Sequence, residues 1–432
     1  MKIRELIEAT NAKVLKELDL DMEVEISTDT RTIKKGDFYL PLKGESFDGE
    51  KFIDIALEKG AIGAFSTGDK GNLQVKDTKI AYLELARYRR RKQNYKVIAI
   101  TGSSGKTTTK ELVASVVSEK FKTYKTPLNH NNEIGFCETM FEASDDTKVL
   151  VLEMGMRGLG EIELLSKYSE PDITIICNVG TAHIGRLGSR ENIAKAKCEI
   201  VKYQRGNVFI AHDNELIKNT VKFDGEKIYY SLKNVEILEK DIHYSKFVYK
   251  NNVYELNVGG DYNIENALSA INVGFKLGMD VKEIQNGLKK YAPIEKRWES
   301  VNANGFEIIN DSYNANPESM RAFIDTIFEL YEKSVLILGD MGELGENEVR
   351  YHSEIGEYIN NHKKLINGTI VLTVGNLSKN ISDKVKNCDS RHFDTISEVV
   401  EFIKNNIDKS SKIFLKASRS MKFERIISEL EK

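Results

Sequence analysis

Cysteine and proline are scarce in this chain. Only four cysteines occur among 432 residues, at Cys137, Cys177, Cys198 and Cys388, and none belongs to a CxxC pair. We therefore expect neither a disulfide framework nor a structural zinc site, and this usage is typical of a reducing compartment. With only five prolines, the chain carries no extended proline-rich linker between its parts.

Long apolar runs and a charge excess of one sign are also missing. No run approaches the roughly 18 to 20 residues of a membrane-spanning helix, and the segment Met1–Asp21 is charged throughout, unlike a signal peptide. Lys and Arg number 63 against 66 Asp and Glu, a net charge of −3 that gives no reason to expect nucleic acid or membrane as a partner. We expect a cytoplasmic protein, and a monomer, although the sequence carries no signal for oligomeric state.

The length predicts several domains, because 432 residues exceed what one hydrophobic core supports. Strand and helix patterns alternate after about residue 95, which predicts parallel sheets in an α/β protein. We predict three domains: a small α/β N-terminal domain over 1–94, a central parallel-sheet domain over 95–296, and a C-terminal Rossmann-like, doubly wound domain over 297–432. The glycine-rich turn Thr101-Gly102-Ser103-Ser104-Gly105-Lys106-Thr107-Thr108 marks the central domain as an ATP-binding domain with a P-loop-type sheet.

Local patterns predict individual elements. In the first section they are helix Arg4–Leu18, strands Val24–Ser27 and Phe38–Leu42, helix Phe52–Lys59 ending at Gly60, and a solvated helix end or linker at the basic run Tyr88–Lys92. The lysine-rich stretch from about 208 to 258 predicts an insertion or an antiparallel extension. In the last section they are strand Phe306–Asn310, helix Pro317–Leu330, strand Val335–Leu338, helix Tyr351–Asn360, strand Ile370–Val374, helix Ile396–Asn405, strand Ile413–Leu415 and helix Phe423–Leu430.

A glycine-rich turn follows the apolar strand Val97–Ile100 and precedes a helical pattern. Its residues are Gly102, Ser103, Ser104, Gly105, Lys106, Thr107 and Thr108. Glycines let backbone N–H groups converge on a phosphate, Lys106 offers charge to the β- and γ-phosphates, and Thr107 offers a hydroxyl to Mg²⁺. The common P-loop has a glycine where Ile100 stands, so this loop is shorter. Nucleotide binding follows, but kinases, hydrolases and ligases all use such loops.

Two polar residues follow the next buried strands. Glu153 comes directly after Val149–Leu152, and His183 comes shortly after Ile173–Ile176. Carboxyl ends of parallel strands meet at one edge of a sheet, so both side chains are expected near the phosphate loop and could hold a second Mg²⁺. Taken singly, Glu153 could be a polar edge residue and His183 a hydrogen-bonded loop histidine.

The motifs, taken in order along the chain, resemble those of the Mur ligases. They are Asp29-Thr30-Arg31, Leu42–Gly44 with Asp48-Gly49, Thr101–Lys110, Asn129–Gly135, Glu153–Ile162, Asn178 with His183, Ala194–Ile200, Asn263–Leu268, Asn310–Met320, Leu338–Glu348 with His352, and Lys416–Met421. The phosphate loop is shared by the whole superfamily. The run Asn310–Met320 and the Leu-Gly-Asp-Met at Leu338 are more specific to the members that add D-alanyl-D-alanine.

The resemblance implies an ATP-dependent carboxylate–amine ligase that acts on small molecules. In such ligases the carboxylate of a UDP-N-acetylmuramoyl-tripeptide attacks the γ-phosphate of ATP, and the amine of D-alanyl-D-alanine then displaces phosphate from the acyl phosphate. The product would be the pentapeptide precursor of peptidoglycan, with ADP and phosphate released. ATP and Mg²⁺, with two ions expected, are the implied cofactors.

The resemblance also implies catalytic and metal-binding roles. Lys106 would contact the transferring phosphate, Thr107 the first Mg²⁺, and Glu153 with His183 the second. Lys197 matches a lysine that family members carbamylate with CO₂, which would make it an oxygen ligand for Mg²⁺. Lys195, two residues earlier, is the alternative if the register differs.

Further implied roles concern nucleotide and substrate. Asn266 would contact adenine, Asp311 the ribose and Arg297 the phosphates; Asp29, Thr30 and Arg31 the uridine diphosphate end; Asn131 and Asn132 the acceptor; Lys416 and Arg419 a substrate carboxylate. The chain departs from the family at Tyr262, where a histidine is common, and at Asp48-Gly49-Glu50-Lys51, where Asp-Gly-His-Asp is usual.

Other functions remain open from the sequence. The same fold could serve a sister ligase that adds one amino acid or a folylpolyglutamate synthetase-like enzyme. The phosphate loop could belong to a kinase or switch that makes no amide, or to a nucleotide-binding scaffold without catalysis. The Asn310–Met320 run favours the D-alanyl-D-alanine-adding reaction.

Overall fold

The computed structural model of the chain forms four β-sheets with helices packed against them. It describes residues 1–44, 47–128, 130–294, 296–331, 333–364 and 368–432. Within these residues the sheets contain five, six, three and six strands in chain order, and no helix combines the length and apolar character needed to cross a membrane. The predicted α/β fold class is confirmed.

The N-terminal sheet has the strand order β1-β5-β4-β3-β2, parallel except for the β1–β5 pair. The elements of this section are α1 (Ile3–Thr10), β1 (Lys13–Val14), β2 (Ile26–Ser27), β3 (Phe38–Tyr39), α2 (Ile53–Glu58), β4 (Gly63–Ser66), β5 (Leu73–Gln74) and α3 (Thr78–Lys92). The predicted strands near Ile26 and Phe38 are present but shorter. The helix predicted to reach Leu18 is wrong beyond Thr10, because Asn11 takes a left-handed conformation (φ 51°) that ends α1 and leads into β1.

The basic end of α3 is only partly solvated, which corrects the prediction for Tyr88–Lys92. Arg90 is 4% exposed and donates hydrogen bonds to Ser169 O, Tyr95 O and the carboxylate of Asp172. A charge run in a sequence does not reveal that one of its members has buried partners. Here Arg90 fastens α3 to the loops around the central sheet.

The central sheet is parallel throughout, in the order β11-β10-β9-β6-β8-β7. The elements here are β6 (Lys96–Thr101), α4 (Lys106–Val117), β7 (Thr123–Lys125), α5 (Glu133–Glu142), β8 (Val149–Glu153), α6 (Glu161–Ser169), β9 (Ile173–Ile176), α7 (Ile184–Leu187), α8 (Arg190–Cys198), β10 (Val208–His212), α9 (Glu215–Thr220), β11 (Glu226–Tyr230), β12 (Glu236–Lys240), β13 (Ser245–Tyr249), β14 (Asn252–Leu256), α10 (Asp261–Lys276) and α11 (Val281–Lys290). Strands β8 and β9 are buried along their whole length, as expected when helices cover both faces of a sheet.

The stretch 208–258 is not one insertion. Strands β10 and β11 extend the central parallel sheet, and only β12, β13 and β14 form a separate antiparallel sheet. The prediction of an antiparallel extension is therefore confirmed for the second half of the stretch and wrong for the first. Both halves are rich in strand-forming residues, and this composition does not indicate whether the strands pair in parallel or antiparallel.

The C-terminal sheet has the order β15-β16-β20-β17-β18-β19, with β15 antiparallel to β16 and the other pairs parallel. Its elements are β15 (Glu299–Ala303), β16 (Phe306–Asn310), α12 (Pro317–Leu330), β17 (Ser334–Gly339), α13 (Glu348–Asn360), β18 (Ile370–Val374), α14 (Lys379–Ser382), β19 (Asp389–Phe393), α15 (Ile396–Asn406), β20 (Lys412–Lys416) and α16 (Glu424–Leu430). All the elements predicted here are present. The unpredicted strands β15 and β19 are the two polar edges of the sheet, which lack an apolar run.

The cores of the sections are continuous where the sections meet. Trp298 packs edge-on against Phe323, and its indole nitrogen donates to Ile242 O, beside the antiparallel sheet, at 2.7 Å. The predicted domain boundaries near residues 94 and 296 stay predictions. This packing brings the C-terminal section against the carboxyl ends of the central strands.

We predict that Arg90→Met lowers the free energy of unfolding by about 3 kcal/mol, because loss of a buried cation leaves its carboxylate unpaired. Asp172 would lose its partner at 2.7 Å. Arg91→Met is the matched control: Arg91 is 58% exposed and pairs with Glu170, so it should cost less than about 1 kcal/mol. Urea unfolding followed by circular dichroism measures both variants, and equal losses would contradict the assignment.

Candidate active-site cleft

A cleft of about 950 Å³ lies between the central and C-terminal sheets. The loops after β6, β8 and β9 line one wall, together with the start of α10, and residues after β16 line the other. Of the predicted residues, those in its wall are Ser103, Ser104, Gly105, Lys106, Thr107, Thr108, Asn131, Asn132, Glu153, His183, Asn266, Arg297, Asp311 and Lys416. The fold thus brings most of the predicted site into one space.

An asparagine from the loop after β9 accepts hydrogen bonds from the phosphate loop. Gly105 has φ +77° and begins α4, as a tight glycine turn requires. The backbone N–H groups of Ser103 and Ser104 donate to Oδ1 of Asn178 at 3.0 and 2.9 Å. Lys106 folds back onto Gly102 O at 2.8 Å. Burial lowers the pKa of Lys106, and the nearby Glu153 carboxylate opposes that shift.

Asn266 lies directly against the phosphate loop. Its Oδ1 accepts a hydrogen bond from Thr109 at 3.1 Å, and a β-carbon added to Gly105 would come within 2.6 Å of the same oxygen. Only glycine therefore fits between the turn and α10. The contact joins α10 to the loop, while the adenine contact of Asn266 stays a prediction.

Glu153 ends β8 with one free oxygen. Its Oε1 accepts from Asn131 Nδ2 at 2.8 Å, whereas Oε2 is buried without a hydrogen-bond partner among the described residues. A buried unpaired carboxylate oxygen costs free energy unless a cation or donor completes it. Oε2 is thus suited to a metal ion, with Lys110 Nζ at 3.9 Å as its nearest charge.

His183 connects the two walls. It takes a left-handed backbone conformation (φ 67°), and its Nδ1 lies 2.6 Å from Oε2 of Glu343 on the C-terminal side. The contact with His183 lowers the pKa of Glu343. Thr181 reinforces this junction by donating to Glu318 at 2.7 Å. Glu318 and Glu343 both line the cleft, and the sequence analysis assigned neither.

Burial distinguishes the two lysines that the motif left as alternatives. Lys197 is 1% exposed, and its side chain makes no hydrogen bond or ion pair within the part of the chain that the structure describes, whereas Lys195 is exposed. Burial lowers the pKa of Lys197 well below its usual value, and the charge of Lys106 lowers it further. Burial therefore favours the neutral amine, which is the form that reacts with CO₂. Lys197 does not line the cleft, but it lies close enough for the charge of Lys106 to lower its pKa.

The C-terminal wall presents an arginine stacked on an aromatic ring. The guanidinium of Arg297 lies 3.8 Å from the ring centroid of Tyr313, and its Nε is buried without a hydrogen-bond partner among the described residues. Arg419 lies over the same ring at 5.3 Å, outside the cleft wall. Lys416, which was predicted to meet a substrate carboxylate, is 3% exposed and donates to Asp311 Oδ2 at 2.6 Å.

The predicted uridine diphosphate residues lie outside the cleft. Arg31 is exposed and binds the Asp29 carboxylate, which holds the pKa of Asp29 at about 2. Thr30 accepts a hydrogen bond from Lys59 through its carbonyl oxygen. The cleft does not include these three residues, and Asn129, from the motif before Gly135, lies outside the described residues.

The protein side chains alone do not build a metal site. No group of three or more His, Cys, Asp or Glu side chains is arranged to hold a metal ion in the described ranges. A magnesium ion here would need oxygens from the Thr107 hydroxyl, from nucleotide phosphates or from a modified lysine, beside Glu153. The donor set fits Mg²⁺ only when such oxygens are added.

Comparisons with known proteins agree with this geometry. The model of the Mur ligase middle domain matches residues 100–274, and that of the Mur ligase glutamate ligase domain matches residues 296–419. UDP-N-acetylmuramoyl-tripeptide–D-alanyl-D-alanine ligase of Bacillus subtilis is 34% identical over 94% of this chain and 92% of that protein.

Two solved structures share the fold along nearly the whole chain. MurF from Acinetobacter baumannii superposes with a TM-score of 0.88 at 28% identity, covering 100% of this chain and 99% of that one. MurF ligase from Thermotoga maritima, in complex with ADP, gives 0.84 at 26% identity, covering 95% and 97%. Both domain models match in order, and the Bacillus subtilis ligase is 34% identical over 94% of this chain, so the chain belongs to the Mur ligase family.

Proposed function

We propose that this chain is the ATP-dependent ligase that joins the carboxylate of UDP-N-acetylmuramoyl-tripeptide to the amine of D-alanyl-D-alanine. One observation carries the proposal: the phosphate loop, Glu153, His183 and Arg297 line a single cleft between two α/β walls. Support comes from relatives and solved structures of that name at up to 34% identity, one of them in complex with ADP. A cytoplasmic location and a monomeric state accompany the proposal.

The proposed reaction has two chemical steps. A carboxylate oxygen of the tripeptide attacks the γ-phosphorus of ATP, the bond to the β-phosphate oxygen breaks, and ADP leaves. The amine of D-alanyl-D-alanine then attacks the acyl carbon, phosphate leaves with the bonding electrons, and the nitrogen loses a proton. Positioning and charge stabilisation supply most of the catalysis in phosphoryl transfer.

The two walls divide this work. Lys106 and the backbone N–H groups at the N-terminus of α4 stabilise the phosphates from the central side. Arg297 meets them from the C-terminal side, where its buried Nε lacks a partner among the described residues. Asn266 is assigned to adenine. Asp311, fixed by Lys416, is assigned to the ribose. The contacts of Glu318 and Glu343 with the central loops join the two walls.

Two Mg²⁺ ions belong to this proposal. Thr107 would hold the first and Glu153, His183 and a carbamylated Lys197 the second; when bound, such ions neutralise charge on the transferring phosphoryl group. The neutral amine of buried Lys197 adds to CO₂ and releases one proton, which gives a carbamate. That change places an anion beside the cation of Lys106, so that the two side chains attract each other.

Substrate ends are assigned to groups with matching charge. Arg31, oriented by Asp29, would meet the uridine diphosphate, and Asn131 with Asn132 would contact the peptide end of the acceptor. Arg419, stacked on Tyr313, is the better placed candidate for a substrate carboxylate, because Lys416 is already bound to Asp311.

We predict that the purified chain converts UDP-N-acetylmuramoyl-tripeptide to the pentapeptide when ATP, Mg²⁺ and D-alanyl-D-alanine are all supplied. Mass spectrometry of the product and phosphate release measure the reaction, with omission of each component as the control. Phosphate release that needs no amine, or amide formation with a single amino acid instead of the dipeptide, would overturn the proposal.

We predict that Gly105→Ala weakens ATP binding at least about 10-fold, about 1.4 kcal/mol. The new methyl group would come within 2.6 Å of Asn266 Oδ1 and push the phosphate loop from its position. Gly188→Ala is the control, because Gly188 has the same φ of +77° with no atom within 4 Å of an added β-carbon. Isothermal titration with ATP compares the variants, and similar affinities would show that the contact is unimportant.

We predict that Lys197→Ala lowers kcat about 100-fold, in the range that changes around metal centres produce, and that short carboxylates restore part of it. Lys195→Ala, at the exposed alternative, should behave as wild type. A carbamate signal from ¹³CO₂ in the NMR spectrum should be present in wild type and absent from Lys197→Ala. Its persistence in that variant would exclude Lys197 as the carbamylated residue.

A further inference from the structure

Lys110 is a fully buried lysine beside the cleft to which the reaction assigns no role. It lies one helical turn after Lys106 on α4 and is 0% exposed. Its ammonium donates to Thr126 O at 2.8 Å and to Leu128 O at 2.9 Å. Its other contacts are carboxylates, with Glu111 at 3.2 Å and Glu153 Oε2 at 3.9 Å. One cation therefore joins the phosphate-loop helix to two other segments of the site.

The first of these segments covers 126–131, directly after strand β7, and is called the segment after β7. Within its described residues, 126–128, 130 and 131, Thr126 is buried, Asn131 half-buried and Leu128 exposed. The ammonium of Lys110 binds two of its carbonyl oxygens, and the N–H of Gly155 donates to Asn131 O at 2.8 Å. Bonds from a buried charge to backbone carbonyls are strong enough to fix a loop.

The second segment that Lys110 contacts is the end of strand β8, at Glu153. The backbone N–H of Glu153 donates to Thr126 Oγ1 at 3.1 Å, and its Oε1 accepts from Asn131 Nδ2 at 2.8 Å. Both partners of Glu153 thus belong to the segment that Lys110 holds. If that segment shifts, the carboxylate and Asn131 shift together.

We propose that Lys110 is a positioning residue for the ligase reaction: it holds the segment after β7 against β8, so that Asn131 orients Glu153 and faces the acceptor. Lys110 does not line the cleft itself. It acts through Asn131 and Glu153. It also makes the position of the segment after β7 depend on α4, the helix that carries Lys106. This proposal rests on the proposed function, because it gives Asn131 an acceptor to bind.

The test compares Lys110→Met with Arg90→Met. Arg90 is also a buried cation that binds carbonyl oxygens and a carboxylate, but it lies away from the cleft, so its loss affects stability alone. For Lys110→Met we expect kcat to fall about 10- to 100-fold, as small displacements of reacting groups produce. We expect the KM for the tripeptide acceptor to rise while ADP affinity, measured calorimetrically without metal, stays at the wild-type value. Lys110→Arg, which keeps the cation, should recover part of kcat.

Two measurements separate positioning from a general loss of structure. Hydrogen exchange should become faster at the amides of Glu153 and Gly155, whose acceptors are on the held segment. In a double-mutant cycle, Lys110→Met added to Asn131→Ala should cost less than it does alone, because both changes disturb one path.

Clear results would overturn the proposal. They are a folded Lys110→Met with wild-type kcat and acceptor KM, or one that loses ADP binding as much as acceptor binding. If Lys110→Met does not fold, Lys110→Gln is measured in its place, because its side chain retains an N–H donor for Thr126. If neither variant folds while Arg90→Met does, Lys110 is a purely structural residue and the proposal fails. A wild-type chain that makes no pentapeptide would overturn the proposed function instead, and the exchange of the two amides would still decide the positioning role.

Discussion

Strand β6 pairs in parallel with β8 on one side and β9 on the other, and the site depends on that pairing. The register places Ile100 opposite Glu153 and Thr101 opposite Ile176. The phosphate loop, the Glu153 carboxylate and the Asn178–His183 loop therefore begin at the same edge of the sheet. Because each strand is apolar and buried, water cannot compete for its backbone groups, and a shift of register would displace all three loops together.

The apolar strands explain how much of this architecture was predictable. Strands such as Val149–Glu153 and Ile370–Val374 are buried on both faces, so each is a continuous apolar run that stands out in the sequence. The edge strands Glu299–Ala303 and Asp389–Phe393 carry charged residues and give no such run. The turn at Asn11 was missed for a related reason, since a left-handed residue ends a helix without interrupting its apolar pattern.

The site was predictable where its residues follow one another in sequence. The phosphate loop could be recognised because glycine, lysine and threonine occur at fixed spacing within eight positions. Contacts between distant parts of the chain carry no such local signal. Glu318 meets Thr181 and Glu343 meets His183 across the cleft, and neither glutamate differs in the sequence from a solvated one. Asn178 could be recognised only as part of a motif with His183, although it binds two N–H groups of the phosphate loop.

Burial of positive charge links the structure of the cleft to the chemistry of its ligands. Burial lowers the pKa of both Lys106 and Lys197, and the charge of Lys106 lowers the pKa of Lys197 further. Two cations in a low-dielectric site are costly unless anions accompany them. The phosphates of a nucleotide would provide that charge for Lys106, and a carbamate would convert Lys197 from a repelling neighbour into a metal ligand. Lys110 differs from Lys197 because its carbonyl and carboxylate partners are already present in the protein. The chain therefore uses one buried lysine to hold its own structure together, and leaves Lys106 and Lys197 for the ligands of the proposed reaction.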